Sequence, residues 1–215
     1  MLKGLVYDAL TRPFERGPGA RVRREVLQHA TGEALEIGAG TGASLPHYPQ
    51  TVRRLTVTEP DAALARRLAR KLDRSPVPTV LVPASAAALP FADGTFDTVV
   101  STLVLCTVPD QEAALAEVRR VLRPGGVFLF FEHVRSDDPG RARWQDRLER
   151  PWRLVAGGCH PNRPTLHGIR AAGFDVVDHV AGEMPGFPRI VRPYVAGRAA
   201  VRAGAATPNA SATSA

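Results

Sequence analysis

Three glycines at alternate positions follow a short apolar run in this 215-residue chain. The run reads Ala34-Leu-Glu-Ile-Gly-Ala-Gly-Thr-Gly-Ala43, with an acid, Glu36, just ahead of Gly38, Gly40 and Gly42. Glycine lets the backbone turn tightly and approach a ligand that a Cβ would push away. A helix after the loop would point its free N–H groups at that ligand. The segment therefore predicts a strand, a glycine loop and a site for a nucleoside cofactor.

The next apolar run ends in a second acid, Glu59, which is followed by Pro60. An acid at a strand tip roughly 20 residues after a glycine loop suits the two hydroxyls of a ribose. The glycine spacing leaves two cofactor classes open, because it fits both the dinucleotide fingerprint and the S-adenosylmethionine version. Glu36 favours S-adenosylmethionine, since a carboxylate attracts its ammonium and sulfonium groups and repels the pyrophosphate of a dinucleotide.

Composition sets wider limits on the fold and the partners. The length suits one α/β domain and is short for a two-domain dehydrogenase. The net charge is +7, but Lys3 and Lys71 are the only lysines, so we attribute the arginine excess to genome composition and expect no nucleic-acid partner. No apolar run reaches the roughly 18 residues of a membrane span. With only Cys106 and Cys159, we expect a cytoplasmic location and no disulfide framework.

Apolar runs and helical patterns alternate along the chain. The expected strands are residues 33–37, 54–58, 77–82, 95–100, 127–131 and a closing pair at 174–181 and 189–198. The expected helices are residues 20–30, 43–48 and 140–155, and those that begin after Asp61, Asp110 and Pro164. This alternation predicts an α/β fold with a doubly wound, parallel sheet. Ligands should then bind at the carboxyl ends of the strands.

The chain should form a single domain over residues 1–202. Within it we expect an N-terminal helical cap, residues 1–32, and a helical insertion on the substrate side, residues 136–172. The small, polar tail at 203–215 should be disordered.

Three motifs resemble those of class I S-adenosylmethionine-dependent methyltransferases with a type 11 domain. They are Glu36-Ile-Gly-Ala-Gly-Thr-Gly42, Leu89-Pro-Phe-Ala-Asp-Gly-Thr-Phe-Asp97 and Leu122-Arg-Pro-Gly-Gly126. They occur in the family's order and spacing over residues 30–135. The resemblance implies a Rossmann-like, seven-stranded sheet, mostly parallel with an antiparallel C-terminal strand.

Further blocks resemble the methyltransferase-like group that includes the animal alkyl-thiol S-methyltransferases. They are Ser101-Thr-Leu-Val-Leu-Cys-Thr-Val108, Phe131-Glu-His-Val134, and the stretch from Trp152 through Gly158-Cys159. The animal relatives carry a hydrophobic, membrane-anchoring N-terminus. This chain opens with one short amphipathic segment, for which we expect weak membrane association at most.

The resemblance implies a set of cofactor contacts, residue by residue. The methionine part would lie against the glycine loop, and the ribose would lie at the second acid. The adenine would lie beside the residues after strand three. The residues at the end of strand four would form the floor of the cofactor site. These residues are Glu36, Gly38, Ala39, Gly40, Thr41 and Gly42; Glu59 and Pro60; Ala84, Ser85 and Ala86; and Ser101 and Thr102. Relatives often have an acid where Ser85 stands, so the adenine contact should differ here.

The resemblance also implies the reaction. S-adenosylmethionine would give its methyl group to a small, apolar acceptor, with an aliphatic thiol or sulfide favoured. Methylation at nitrogen, oxygen or carbon of a lipid, quinone or secondary metabolite stays open, because the fold fixes the donor and leaves the acceptor to a variable wall. A non-enzymatic, S-adenosylmethionine-binding regulatory module is the other alternative.

Few residues are candidates for the chemistry on the acceptor. His133 follows strand five and could act as a general base with a near-neutral pKa, and Tyr7 could reach the cofactor from the N-terminal segment. Cys159 and His160 could form a soft-metal site with Cys106 and His133, but these residues lack tight ligand spacing, so we expect no metal. A lid or wall over the substrate is expected from bulky apolar residues, with plain core packing as the rival interpretation: Trp144, Leu148, Trp152 and Leu154.

Overall fold

The computed structural model describes residues 17–202. The helices are α1 (Pro18–Leu27), α2 (Ala62–Ala69), α3 (Gln111–Val121), α4 (Pro139–Val155) and α5 (Thr165–Ala171), with short 3₁₀ turns at Leu45–His47, Leu72–Arg74 and Arg189–Val191. The strands are β1 (Gly32–Ile37), β2 (Val52–Thr58), β3 (Thr79–Val82), β4 (Phe96–Thr102), β5 (Leu122–His133), β6 (Phe174–Glu183) and β7 (Pro193–Val201). Tyr7, the rest of the amphipathic N-terminal segment and the tail at 203–215 lie outside the described residues.

One sheet contains all seven of these strands, in the order β3-β2-β1-β4-β5-β7-β6. The first five strands pair in parallel, whereas β7 runs antiparallel to both of its neighbours. The predicted doubly wound, seven-stranded fold is confirmed. Because β1 and β4 are adjacent, their carboxyl ends lie side by side next to those of β2 and β5.

Apolar side chains cover both faces of the sheet. Leu129 and Phe131 of β5 belong to one buried cluster, and Phe128 and Phe130 belong to another. Successive side chains of a strand point to opposite faces, so such a run indicates a strand that is buried on both sides. The sheet is therefore a rigid base, and its carboxyl edge carries the loops that form the site.

The helix that was predicted at residues 43–48 is absent, and a single 3₁₀ turn at Leu45–His47 takes its place. Tyr48 is extended, with φ −70° and ψ 132°, as expected of a residue before a proline, here Pro49. A helix therefore cannot continue through this segment. The expectation that a helix N-terminus points at the ligand was wrong, and the loop itself must provide the contacts.

The predicted helix starts after two aspartates are confirmed. Asp61 accepts hydrogen bonds from the N–H groups of Ala63 and Leu64 at 2.8 and 3.1 Å, and Asp110 accepts one from Ala113 at 2.9 Å. Such bonds satisfy the free donors of a first helical turn. Asp61 thereby fixes the start of α2 directly after Glu59, at the edge where a ligand should bind.

Candidate active site

The glycine loop that follows β1 depends on left-handed backbone conformations. Gly38, Gly40 and Gly42 have φ values of 55°, 59° and 83°, which side chains other than glycine rarely adopt. A Cβ on Gly38 would lie 2.8 Å from a methyl group of Val104. The loop is therefore held close to the end of β4 by both conformation and packing.

Glu59, at the end of β2, holds the loop from the other side. Its Oε2 accepts a hydrogen bond from the N–H of Gly40 at 2.9 Å, and its Oε1 accepts one from the N–H of Asp61 at 2.9 Å. These two contacts fix the orientation of the Glu59 carboxylate at the end of β2. Its predicted contact with the ribose hydroxyls stays a prediction.

Glu36 lies beneath the loop in a network of polar side chains and is only 1% exposed. Its carboxylate accepts hydrogen bonds from the hydroxyl groups of Tyr48 at 3.0 Å and Thr102 at 3.3 Å. Burial raises the pKa of Glu36, and hydrogen bonding from Ser44 and the charge of Arg23 oppose that rise. Glu36 thus supports the loop, and its predicted direct contact with the methionine part stays a prediction.

The arginine of this network escaped the sequence analysis. Arg23 of α1 is 3% exposed and donates to the hydroxyls of Thr102 at 2.7 Å and Ser44 at 3.2 Å. It lies near Glu36, and a buried charge is tolerated when it is paired in this way. A signal existed, because Val22, Arg23 and the apolar positions one turn later fall on the same buried face of α1.

The other predicted cofactor residues differ in how far they are exposed to solvent. Ser85 is exposed and its hydroxyl accepts a bond from the N–H of Ala87 at 3.3 Å, whereas Ala86 is buried. The carbonyl of Thr41 accepts a hydrogen bond from Lys71 at 2.9 Å. Ala39 is buried, Ala84 is half-buried and Pro60 is exposed. All of them lie at or next to the carboxyl ends of β1, β2 and β3, where the topology places a ligand.

A buried carboxylate on β5, Glu132, fixes the loop that follows β4. It accepts hydrogen bonds from the hydroxyl of Ser101 at 2.6 Å and from the N–H groups of Val104 at 3.1 Å and Cys106 at 3.2 Å. Burial raises the pKa of Glu132, and these hydrogen bonds act against the rise. Ser101 is fully buried, and its predicted place in the floor of the cofactor site stays a prediction. Leu103, with φ 60°, is strained, as residues at functional sites often are.

His133 ends β5 and is 6% exposed. Its ring centroid lies 5.6 Å from that of Phe187, and within residues 17–202 its Nδ1 has no hydrogen-bond partner. Burial lowers the pKa of His133 to about 4, although the nearby carbonyls of Pro193 and Val191 oppose the shift. The side chain is therefore neutral at physiological pH. The expected near-neutral pKa was wrong, while a role in catalysis stays a prediction.

An apolar cluster, called here the acceptor-side cluster, lies beside this histidine. Its buried members are Cys106, Cys159 and Val191, with Leu103, Trp152, Ala156, Phe187 and Ile190 packed around them. Phe187 contacts both His133 and this cluster. The segments come from the ends of β4 and α4 and from the loop before β7. The sequence blocks 101–108 and 152–159 contain the first two, but only the fold brings them together with Val191, Phe187 and Ile190.

The expected wall residues divide into two groups. Trp152 packs against the acceptor-side cluster, whereas Trp144, Leu148 and Leu154 are 56%, 36% and 84% exposed. Core packing is therefore wrong for these three. Gln145, also on α4, is fully buried and donates to the carbonyls of Pro161 and Ile190, both at 2.8 Å.

Two findings concern metals and membranes. Among the described residues, no three His, Cys, Asp or Glu side chains converge as they would around a metal ion. None of the helices between residues 17 and 202 combines the length and the apolar composition needed to cross a bilayer.

Comparison with known proteins agrees with this geometry. A family model described as a methyltransferase domain matches residues 35–130. The human thiol S-methyltransferase TMT1A is 36% identical over 169 residues, which cover 77% of this chain and 69% of that protein. The rat thiol S-methyltransferase TMT1B is 34% identical over 170 residues, with the same coverage.

Solved structures show the same fold. An S-adenosylmethionine-dependent methyltransferase from Thermotoga maritima, described as a possible histamine N-methyltransferase, superposes with a TM-score of 0.64 at 18% identity, covering 91% of this chain and 95% of that one. The glycine loop, the acid at the end of β2 and the identity to curated enzymes support one conclusion. The chain is an enzyme of the S-adenosylmethionine-dependent methyltransferase family, and it belongs to the group that contains the thiol S-methyltransferases.

Proposed function

We propose that this enzyme transfers the methyl group of S-adenosylmethionine to the sulfur atom of a small, apolar thiol. The relatives named above are thiol S-methyltransferases. The observation that carries the proposal is the identity of 34–36% to these enzymes over 77% of this chain, and the burial of His133 at the carboxyl end of β5, which lowers its pKa to about 4, agrees with it. A base this weak favours an acceptor that can lose its proton to water.

The donor would occupy the carboxyl edge of β1, β2 and β4. Bound there, S-adenosylmethionine would supply a methyl group that its sulfonium activates for displacement. Backbone groups of the loop from Gly38 to Thr41 would hold the methionine part, and Glu59 would accept the ribose hydroxyls. The segment Ala84-Ser-Ala86 would flank the adenine, while Thr102 and the network around Glu36 would form the floor.

The acceptor would lie against the acceptor-side cluster, whose apolar members exclude water and suit an aliphatic chain. A free thiol has a pKa of about 8.5, so a useful fraction is thiolate at physiological pH. An amine or an alcohol holds its proton more tightly and needs a stronger base than neutral His133 provides. In this proposal the protein contributes alignment of the sulfur with the methyl group, and His133 helps to position the acceptor.

A panel of acceptors tests the proposal. The purified protein is given S-adenosylmethionine and, separately, an alkyl thiol, a phenol, a primary amine and a quinol, and products are found by mass spectrometry as the addition of one methylene mass. We expect the thiol to be methylated, and the Gly40→Val variant to be inactive. Turnover of the phenol, amine or quinol without the thiol would contradict the acceptor assignment. Donor binding without turnover of any acceptor would favour a regulatory module.

Cytoplasmic location, weak membrane association through the N-terminal segment and the lack of a nucleic-acid partner are part of the same proposal. A reducing compartment suits a chain whose two cysteines are both free thiols. Cell fractionation tests the location, and titration with a polynucleotide at several salt concentrations tests the partner.

A further inference from the structure

The two cysteines of the chain meet inside the acceptor-side cluster. Cys106 follows β4 and Cys159 follows α4, and both are buried members of this one cluster, close enough for each thiol to shift the pKa of the other. The N–H of His160 donates to the carbonyl of Cys106 over 2.7 Å, which holds the two backbones side by side. A disulfide requires two cysteines on neighbouring backbone segments, which is the arrangement found here.

The surroundings make Cys159 the better nucleophile of the two. The hydrogen bond from Cys106 lowers the pKa of Cys159; the nearby indole N–H of Trp152 and the charge of Arg163 also lower it, while burial opposes them. Within the described residues the indole Nε1 of Trp152 has no hydrogen-bond acceptor, so its N–H can donate to a thiolate at Cys159. The pKa of Cys106, in contrast, is raised by its hydrogen bond to Cys159, by burial and by Glu132.

The turn ahead of Cys159 offers a route for a small oxidant. Cys159 is only 7% exposed, but Leu154 and Val155 at the end of α4 are 84% and 79% exposed. Gly157 has φ 62° and no atom within 4 Å of the position where a Cβ would be. A loosely covered helix end opens locally at low cost in free energy, and such an opening would expose the thiol of Cys159.

We propose that Cys106 and Cys159 are a redox-active pair, a site of oxidative modification that closes to an intramolecular disulfide when hydrogen peroxide is the oxidant. The thiol of Cys159 gives its proton to solvent, and the thiolate attacks the peroxide: an S–O bond forms, the O–O bond breaks, and the leaving hydroxide takes up one proton from solvent, equal to the one that Cys159 released, to become water. The sulfur of Cys106 then attacks Cys159, so an S–S bond forms, the S–O bond breaks, and the oxygen leaves as water with the Cys106 proton. Two thiols are oxidised by two electrons, and one peroxide is reduced to two waters.

The disulfide would link the loop after β4 to the turn after α4. Both segments belong to the acceptor-side cluster, so oxidation would fix two sides of that wall relative to each other. The inference goes beyond the proposed function, because the disulfide needs neither S-adenosylmethionine nor an acceptor to form. Failure of the thiol acceptor in the panel would leave it standing, and failure of the disulfide would leave the acceptor proposal standing.

Peptide mapping of the folded, full-length chain tests the pair. The protein is treated with hydrogen peroxide, its remaining thiols are alkylated, and trypsin then releases Cys106 and Cys159 on the separate peptides 75–119 and 154–170. We expect the two peptides to be recovered as one linked species from monomeric protein, and as two alkylated peptides after dithiothreitol. Two free thiols after excess peroxide, separate sulfinic or sulfonic acids, or a link only between two chains would overturn the proposal.

Single variants assign the roles within the pair, with circular dichroism to verify folding. In Cys106→Ser the sulfenic acid of Cys159 cannot be resolved, and dimedone should trap it at least about tenfold faster than it traps Cys106 in Cys159→Ser. Trp152→Phe keeps the packing but removes the indole N–H, so disulfide formation at pH 7 should slow several-fold. Equal trapping of both cysteines would contradict the role given to Cys159. If the variants unfold, the peptide map of the unaltered chain decides alone.

Discussion

The donor side and the acceptor side of this molecule differ in how they are built. On the donor side, Glu36, Glu59 and their partners form a polar network around three glycines, and most of these residues lie within residues 36–61. On the acceptor side, the ends of β4 and α4 and the loop before β7 contribute an apolar cluster that contains two thiols and lies beside His133. The donor side is specified mostly within one stretch of the chain, to which α1 adds Arg23 and β4 adds Thr102, whereas the acceptor side is assembled wholly from distant segments.

The difference suggests that the two sides control different steps, cofactor binding on one side and acceptor selection on the other. Polar networks fix orientation, because each buried donor and acceptor must be satisfied in one geometry. An apolar cluster tolerates a change of shape more easily, so it can vary without disturbing the donor. We therefore expect substitutions on the donor side to weaken cofactor binding, and those on the acceptor side to change acceptor kinetics with cofactor affinity preserved.

The largest effect is expected from Gly40→Val. Valine is strained at φ 59° and would disturb the hydrogen bond that the N–H of residue 40 donates to Glu59. Calorimetry should therefore show that S-adenosylhomocysteine binds at least about 100-fold more weakly. Gly125→Val is the matched control, since Gly125 has φ 78°, lies at the other end of the sheet and has no atom within 4 Å of a Cβ. Equal losses in both variants would mean that backbone strain, and not the site, explains the result.

Replacing His133, on the acceptor side, should change how the free energy of unfolding depends on pH. Because the folded pKa of His133 is about 4 against an ordinary 6.5, the unfolded chain takes up the proton first. The stability that this residue contributes is therefore full above pH 6.5 and is lost as the pH falls toward 4. Between pH 7.5 and 5, urea unfolding should show a loss about 2 kcal/mol larger for the wild type than for His133→Gln. Identical losses would contradict a buried, neutral histidine.

Glu59→Ala should weaken S-adenosylhomocysteine binding at least about tenfold, because two charge-assisted hydrogen bonds to the ribose would be lost together with support for the loop. Glu117→Ala is a matched control, since Glu117 also holds a backbone N–H, that of Leu89 at 2.7 Å, but away from the glycine loop. Both variants should lose stability, and only Glu59→Ala should lose affinity. Unchanged affinity in folded Glu59→Ala would remove the ribose assignment.

The smallest of these effects is expected from Tyr48→Phe. The change leaves the buried carboxylate of Glu36 with fewer donors, which should lower the free energy of unfolding by about 1 kcal/mol and cofactor affinity only a few-fold. Tyr194→Phe serves as the control, because the ring of Tyr194 packs edge-on to Phe131 at 5.6 Å and its hydroxyl donates no hydrogen bond within residues 17–202. Equal destabilisation by both changes would show that the hydrogen bond from Tyr48 to Glu36 adds nothing to the free energy of unfolding.

The same division explains what the sequence could predict. The strand-loop pattern, the helix starts at Asp61 and Asp110 and the sheet class follow from local signals, and the structure confirms them. The prediction of a helix after the glycine loop was wrong because Pro49, two residues after a short turn, outweighs the local pattern. The partners of Glu36 and the pairing of the two cysteines could not be predicted, since tertiary packing alone brings those segments together.

The central claim is that the protein aligns the acceptor while the acceptor ionises by itself. The most direct measurement is the pH dependence of kcat/KM for two alkyl thiols that differ in pKa by at least one unit, compared in the wild type and in His133→Gln. We expect kcat/KM to rise with pH to an inflection at the pKa of each free thiol, so that the inflection moves with the thiol. We expect His133→Gln to lower kcat/KM by the same factor at every pH. An inflection that stays at one pH for both thiols and disappears in His133→Gln would contradict the central claim.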